Sequence, residues 1–239
     1  MLWVERKADE NSVDSLSRSL SISPALSRLL HLRGFDFSDS ALDFLKPKLA
    51  HLADPFEITR LREAVLRIIK SIESREGILL VGDYDVDGIT STVLVKKILA
   101  TLGSDPFYVI PRRKDEGYGL TKEILARGLK LGDVKLVIAL DCGTNSFEEA
   151  KILAGKGIDL VVVDHHQAKE ELPEEPIMLN PHLHPDEGEP WRNLCTAGLA
   201  FKLIHGLIKE LRERDCSNAH SVDLKLSLIH ISEPTRQLC

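Results

Sequence analysis

Three aspartates, Asp83, Asp85 and Asp87, occupy every second position in the segment GDYDVDGITST at 82–92. The run before them, residues 78–81, is wholly apolar, as expected of a strand that is buried on both faces. Carboxylates this close repel one another unless a cation compensates their charge. Because residues two apart on an extended chain point the same way, Asp85 and Asp87 are predicted to converge on one point. Asp83 either binds the same cation or hydrogen-bonds the following turn.

Two further apolar runs also end in acids. Asp141 ends the run KLVIALD, and Asp164 ends the run IDLVVVD, where it is followed directly by His165 and His166. Ligands of a parallel α/β sheet bind beyond the carboxyl ends of its strands, so these groups can reach the acids at 83–87. Carboxylate oxygens suit Mg²⁺ and Mn²⁺, and an added imidazole favours Mn²⁺ or a later transition metal. The sequence therefore predicts a site for one or two divalent ions.

Strand-like apolar runs alternate with amphipathic segments from residue 58 onward. Strands are predicted over 77–83, 107–111, 135–141 and 158–166, with an edge strand over 176–181. Helices are predicted over 58–77, 89–103, 120–132, 146–157 and 196–215. Short connections between alternating elements indicate βαβ units, and thus an α/β fold with a parallel sheet and helices on both faces. Residues 1–60 are predicted to form a short helical lead-in, with helices over 23–34 and 38–47.

The composition excludes several classes of protein. The formal net charge of −6 argues against a surface that coats nucleic acid non-specifically, although a local basic groove stays compatible with it. The four cysteines are scattered without a C-x-x-C pair, which disfavours a disulfide framework and fits a reducing cytoplasm. No apolar stretch reaches the roughly 18 residues of a membrane span, and the N-terminus lacks a secretory leader pattern. We therefore expect a cytoplasmic protein with no membrane partner.

Several motifs carry a resemblance to a known family. DYDVDG, LDCGTNS and VVVDHH, in this order and at this spacing, resemble motifs I, II and III of the DHH phosphoesterase superfamily. The resemblance is closer to the RecJ family of bacterial exonucleases specific for single-stranded DNA. IPRRKDEGYGLT at 110–121, the segment 179–203 with LCTAGLAFKL, and the lead-in also resemble that family. The similarity spans roughly residues 15–225.

The resemblance implies a 5′-to-3′ exonuclease that hydrolyses single-stranded DNA in repair and recombination with two Mn²⁺ or Mg²⁺ ions. Such ions clamp the phosphate and acidify the attacking water. By motif, the implied metal ligands are Asp85, Asp87, Asp141 and His165. His166 is implied at the scissile phosphate, and Asp164 would orient the histidines.

Three consecutive basic residues, RRK at 112–114, lie beside this edge of the predicted sheet. Arg113 and Arg112 either contact the phosphates of the DNA strand or form an ordinary exposed turn. Tyr118 either stacks on a base or packs against the protein.

The chain departs from the family pattern toward its end. The resemblance implies a fourth motif with another metal-binding aspartate and further domains, and the similarity fades near Lys225. We expect residues 61–225 to form an incomplete phosphoesterase domain and 226–239 to be a non-native tail derived from a sequencing adaptor. The chain itself is then expected to bind metal weakly and to be inactive. The helix over 196–215 is expected to expose apolar residues such as Phe201 and Leu207.

Other functions fit parts of the pattern. One alternative is a DHH-type phosphodiesterase of oligoribonucleotides or cyclic dinucleotides, which the lead-in and the Phe-Lys-Leu segment disfavour. A pyrophosphatase of the superfamily is disfavoured because Val81 stands where that group has a histidine. The alternative of another class is a catalytically inactive binding module, which the intact Asp85, Asp87, Asp141 and His165 disfavour. The protein is expected to act as a monomer on single-stranded DNA.

Overall fold

The computed structural model of the chain describes residues 6–48, 52–112, 116–117, 119–169, 176–183 and 191–223. The expected foreign tail, 226–239, lies outside these residues. The chain divides into two compact units at Ala53 and Asp54. The predicted division at residue 60 stays a prediction.

The first unit is helical. Its helices are α1 (Glu10–Leu20), α2 (Pro24–His31) and α3 (Ser38–Leu45). Asp9 caps α1 by accepting a hydrogen bond from the Ser12 amide, and Ser23 caps α2 in the same way. Leu16, Leu30 and Ala41, one from each helix, form its small core. The second and third helices were predicted, and α1 was not.

The second unit is built on a five-stranded parallel sheet. Its strands are β1 (Gly77–Gly82), β2 (Phe107–Val109), β3 (Val134–Leu140), β4 (Asp159–Val163) and β5 (Ile177–Leu179). Their order across the sheet is β2-β1-β3-β4-β5, and every neighbouring pair is parallel. The predicted α/β fold class is therefore confirmed.

Helices cover both faces of this sheet. They are α4 (Leu61–Glu73), α5 (Val86–Thr101), α6 (Lys122–Gly128), α7 (Phe147–Gly155), α8 (Thr196–Glu213) and the short α9 (Ser217–His220). On β1, Ile78 and Leu80 belong to the core shared with α4, α5 and α8, whereas Leu79 and Val81 belong to the core shared with α6 and α7. Because successive side chains of a strand point to opposite faces, each strand contributes to two cores, which explains why the predicted strands are apolar throughout.

The longest described helix is buried along much of its length. Phe201 and Leu207 of α8 are 8% and 2% exposed, because the helix packs against α4 and α5. The expectation that they lie exposed is therefore wrong. Within the described residues no helix is long and apolar enough to cross a membrane.

Candidate metal centre

The acids lie at one edge of the sheet because three neighbouring strands end there. The backbone N–H of Asp83 donates to Leu140 O (3.2 Å), and that of Asp141 donates to Val163 O (2.9 Å). Asp164 continues the pattern by donating to Leu179 O (3.1 Å). Each acid thus extends the hydrogen bonds of the sheet by one residue, which fixes its backbone and aligns the three carboxylates along the edge.

The first acidic cluster is not extended, so the predicted extended backbone at Asp85 and Asp87 is wrong, although both carboxylates lie close enough to Asp141 to raise its pKa. The helix α5 begins at Val86, earlier than predicted, because Asp85 is its N-cap and accepts a hydrogen bond from the Gly88 amide (2.9 Å). Asp87 lies in the first turn of the helix. A helix start therefore presents these two side chains, and Asp83 alone follows directly from the strand.

Asp83 is fully buried, and neither of its carboxylate oxygens has a hydrogen-bond partner among the described residues. Burial raises the pKa of Asp83 above its usual value, and the charge of Asp85 adds to the effect. The nearby backbone N–H groups of Tyr84 and Asp85 counter part of this rise in pKa, so both alternatives for Asp83, a bound cation and the following turn, stay predictions. A buried carboxylate without hydrogen bonds is costly, and a bound cation would offset that cost.

Asp141 lies at the centre of the cluster. Its backbone is left-handed, with a φ of 65°, a conformation that aspartate tolerates better than most residues. Burial raises the pKa of Asp141 to about 7. The Thr196 hydroxyl donates to Asp141 Oδ1 (2.8 Å) and lowers this pKa, but burial outweighs it. The charge of Asp87 raises the pKa further. The pKa of Asp85 is lowered, chiefly by the hydrogen bond from Gly88.

The histidines are held by Asp164. Its Oδ1 accepts the backbone N–H of His165 (2.8 Å) and contacts Nδ1 of His166 (2.7 Å). Its Oδ2 accepts the hydroxyl of Thr144 (2.7 Å). Burial alone would raise the pKa of Asp164, but these hydrogen bonds lower it. Burial alone would lower the pKa of His166, but the hydrogen bond and charge of Asp164 raise it. His166 is thus the proton donor to an ionised Asp164.

Asn180 and Thr144 complete this support and were not predicted as site residues. The Asn180 side-chain amide donates to the Thr144 hydroxyl and to the carbonyl of His166, both at 2.9 Å. Their signal was their place inside the family-like segments LDCGTNS and LNPHLHP.

Two groups of side chains could hold ions. Asp83, Asp85 and Asp141 form one, and Asp141, His165 and His166 form the other, with the potential ligand atoms of each group within 4.8 Å of one another. Asp141 belongs to both. An all-carboxylate group joined to a carboxylate–imidazole group fits hard divalent cations such as Mg²⁺ and Mn²⁺.

Asp87 lies at the edge of this cluster and belongs to neither group. Its Oδ2 is 3.6 Å from His165 Nε2, which is also 3.5 Å from Asp141 Oδ1. Its two oxygens accept the backbone N–H groups of Thr196 (2.8 Å) and Ala197 (2.7 Å). Asp87 thus faces both the cluster and the first turn of α8.

Of the predicted DNA contacts, only Arg112 is among the described residues. Its backbone N–H donates to Glu116 Oε2 (2.8 Å). Arg113 and Tyr118 lie outside the described residues, so their roles stay predictions. An open cavity of about 270 Å³ adjoins His166 and is also lined by Gly143, Thr144, Asn145 and Lys169. It leaves room for a ligand beside His166.

The chain is similar to known proteins over most of its length. Residues 77–227 match the DHH family, N-terminal domain. The chain is 38% identical over 211 residues to the single-stranded-DNA-specific exonuclease RecJ of Bacillus subtilis, covering 88% of this chain and 27% of that protein. It is 32% identical over 193 residues to RecJ of Thermus thermophilus, covering 81% of this chain and 27% of that protein. The chain thus spans about a quarter of the length of these relatives.

Two solved structures are similar. The crystal structure of exonuclease RecJ bound to manganese is 33% identical, covers 64% of this chain and 38% of that chain, and has a TM-score of 0.59. RecJ from Thermus thermophilus in complex with Mn²⁺ is 28% identical, covers 84% of this chain and 28% of that chain, and has a TM-score of 0.68.

Proposed function

Because the chain belongs to the DHH family, we propose that it carries the metal centre of a nuclease that hydrolyses single-stranded DNA from the 5′ end. The observation that carries the proposal is the placing of Asp141 between two ligand groups, one of which contains a buried carboxylate without hydrogen bonds. The names of the similar RecJ proteins support the choice of substrate, and the manganese in their solved structures supports Mn²⁺. The carboxylate ligands suit Mg²⁺ equally well.

The two groups suggest how two ions would be held. Asp83, Asp85 and Asp141 would hold one, and Asp141 with His165 would hold the other. Asp87 lies close enough to His165 to serve the second ion through an oxygen lone pair that its hydrogen bonds do not use. When bound, such ions neutralise the phosphate and lower the pKa of the attacking water.

The protein's own groups would orient the phosphate. Asp164 fixes the His166 ring, and the raised pKa keeps this imidazole positively charged closer to neutral pH. A cationic ring beside the cavity would attract the scissile phosphate and stabilise charge that develops on it. Thr144 and Asn180 hold Asp164 and the backbone of His166, so they keep the ring in place.

We propose that this activity serves DNA repair and recombination in the cytoplasm, and that the protein acts as a monomer. The match to exonucleases specific for single-stranded DNA supports the first part. Sedimentation of the purified chain tests the last.

The decisive experiment measures metal binding on this chain and hydrolysis on a protein of the relatives' full length that contains it, because the chain spans about a quarter of that length. Mn²⁺ is titrated calorimetrically into the metal-free protein, and 5′-labelled single-stranded DNA is then incubated with and without EDTA. Duplex DNA and short RNA serve as comparison substrates. We expect Mn²⁺ binding, loss of binding in Asp141→Asn, and EDTA-sensitive degradation of the single strand alone. Absence of Mn²⁺ binding would refute the metal centre, and equal degradation of duplex and single strand would refute the specificity.

A further inference from the structure

The first turn of α8 touches two carboxylates of the metal centre. The backbone N–H groups of Thr196 and Ala197 donate to the two oxygens of Asp87, at 2.8 and 2.7 Å. The Thr196 hydroxyl donates to Asp141 Oδ1, at 2.8 Å. One helix start therefore holds Asp87 and Asp141, which follow different strands in the sequence.

These hydrogen bonds also satisfy backbone N–H groups at the start of α8. The first N–H groups of a helix have no partner within it, and a polar side chain at the N-cap usually accepts from one of them. The N-cap of α8, Cys195, makes no such side-chain hydrogen bond. Asp87, from the first turn of α5, accepts from two of these groups instead. The positive end of the helix dipole also favours its negative charge.

The bonds restrict how the two carboxylates can turn. Thr196 is fully buried and Asp141 is 1% exposed, so water does not compete for the bond between them. An ionised carboxylate accepts about four hydrogen bonds or metal contacts. The bonds from α8 use two of these on Asp87 and one on Asp141. Both carboxylates can therefore bind a cation while α8 holds them.

We propose that Thr196 is a positioning residue of the metal centre, and that the first turn of α8 orients Asp87 and Asp141 for binding a divalent ion. The inference rests on the proposed function, because it requires that the acidic cluster binds metal. Groups that hold metal ligands through hydrogen bonds typically change the metal affinity 10- to 100-fold when they are removed. By thermodynamic linkage, a bound ion should in turn stabilise the first turn of α8.

The test compares three variants of the full chain by calorimetric titration with Mn²⁺. Thr196→Val keeps the size of the side chain and removes the hydroxyl, so it should weaken Mn²⁺ binding about 10-fold or more. Thr196→Ser restores the hydroxyl and should bind as the wild type does. Thr92→Val is the matched control, because the buried Thr92 hydroxyl donates to the Gly88 carbonyl (2.8 Å) and to no carboxylate of the cluster. It should leave Mn²⁺ binding unchanged.

The outcomes separate this inference from the proposed function. Wild-type protein that binds no Mn²⁺ refutes the metal centre itself. Wild-type protein that binds Mn²⁺ while Thr196→Val binds it equally well overturns only the role of Thr196.

Hydrogen exchange on the wild type provides a second test that does not depend on how the valine variant folds. Mn²⁺ should slow exchange of the Thr196 and Ala197 amides more than exchange at the middle of α8. Equal effects along the helix would overturn the proposed link between the ion and the first turn of α8.

Discussion

Replacement of Gly88 by alanine should disrupt both the stability of the chain and its metal centre. A Cβ atom at this position would lie 2.6 Å from the backbone N and O of Asp83 and 2.7 Å from its Cβ. Comfortable contact between such atoms requires about 3.5 Å. The obstacle is backbone at the end of β1, which cannot rotate away as a flexible side chain could. The start of α5, which presents Asp85 and Asp87, would therefore have to move by roughly 1 Å.

The size of the loss follows from two opposing effects. Overpacking in a close-packed region costs about 1–3 kcal/mol, and the rigid backbone contact places Gly88→Ala at the upper end. Replacement of a helical glycine by alanine otherwise stabilises a protein by about 0.5–1 kcal/mol. We expect the free energy of unfolding to fall by about 2 kcal/mol, which lowers Tm by roughly 4–8 °C in a chain of this size.

The assay is urea denaturation of the metal-free chain, repeated with Mn²⁺. Gly155→Ala is the matched control, because Gly155 ends α7 and a Cβ there would meet nothing within 4 Å. It should stabilise the chain by up to about 1 kcal/mol. The stabilisation by Mn²⁺ should be intact in Gly155→Ala and reduced in Gly88→Ala. If the two variants unfold at the same urea concentration, the close contact between Gly88 and Asp83 does not constrain the helix start as inferred.

Three further predictions concern other groups. Asp83→Asn should raise the free energy of unfolding of the metal-free chain by about 1 kcal/mol, because it removes a buried carboxylate without hydrogen bonds. The same variant should be stabilised less by Mn²⁺. Calorimetric unfolding without and with Mn²⁺ measures both effects, and a metal-free variant less stable than the wild type would contradict the argument. In a protein of the relatives' full length, His165→Ala should lose more Mn²⁺ affinity than turnover per bound metal, and His166→Ala should lose more turnover than affinity. Mn²⁺ titration and rate measurements on both variants separate these effects, and opposite results would exchange the two roles. Burial alone would raise the pKa of Glu76, but hydrogen bonds from Ser71 and Arg67 lower it, so its stabilising effect is present above its ordinary pKa of 4.5 and is lost as the pH falls through the lowered value. Glu76→Gln should therefore cost about 1–2 kcal/mol in urea unfolding at pH 7 and nothing once the pH lies below the lowered pKa of Glu76. A cost independent of pH would show that the carboxylate charge is irrelevant.

The parallel sheet was predictable because short apolar runs alternate with amphipathic segments along the chain, and three of these runs end in acids. The positions of Asp141 and Asp164 follow directly, since each comes immediately after its strand. The helix α1 was missed because its apolar residues, such as Val13 and Leu16, are few among polar ones. Its clearest signal was the N-cap Asp9.

The geometry of the first cluster was not predictable from spacing alone. Acids at every second position suit an extended chain, but Asp85 can equally cap a helix, and its bond to Gly88 decides between the two. The link from Asp87 to the first turn of α8 joins residues far apart in the sequence. This contact forms only when α5 and α8 pack together, so no local sequence pattern predicts it.

The order of the strands also limits when during folding an ion can bind. Both ligand groups combine residues from separate chain segments, and β1 pairs with β3 although β2 lies between them in the sequence. The group of Asp83, Asp85 and Asp141 cannot form until β1 has paired with β3, and the group of Asp141, His165 and His166 cannot form until β3 has paired with the next strand, β4. Such non-local pairing is a slow step in the folding of parallel sheets. An interaction that is absent from the folding transition state slows unfolding and leaves the folding rate unchanged. A bound ion would thus prolong the lifetime of the folded chain without shortening the time that the chain needs to fold.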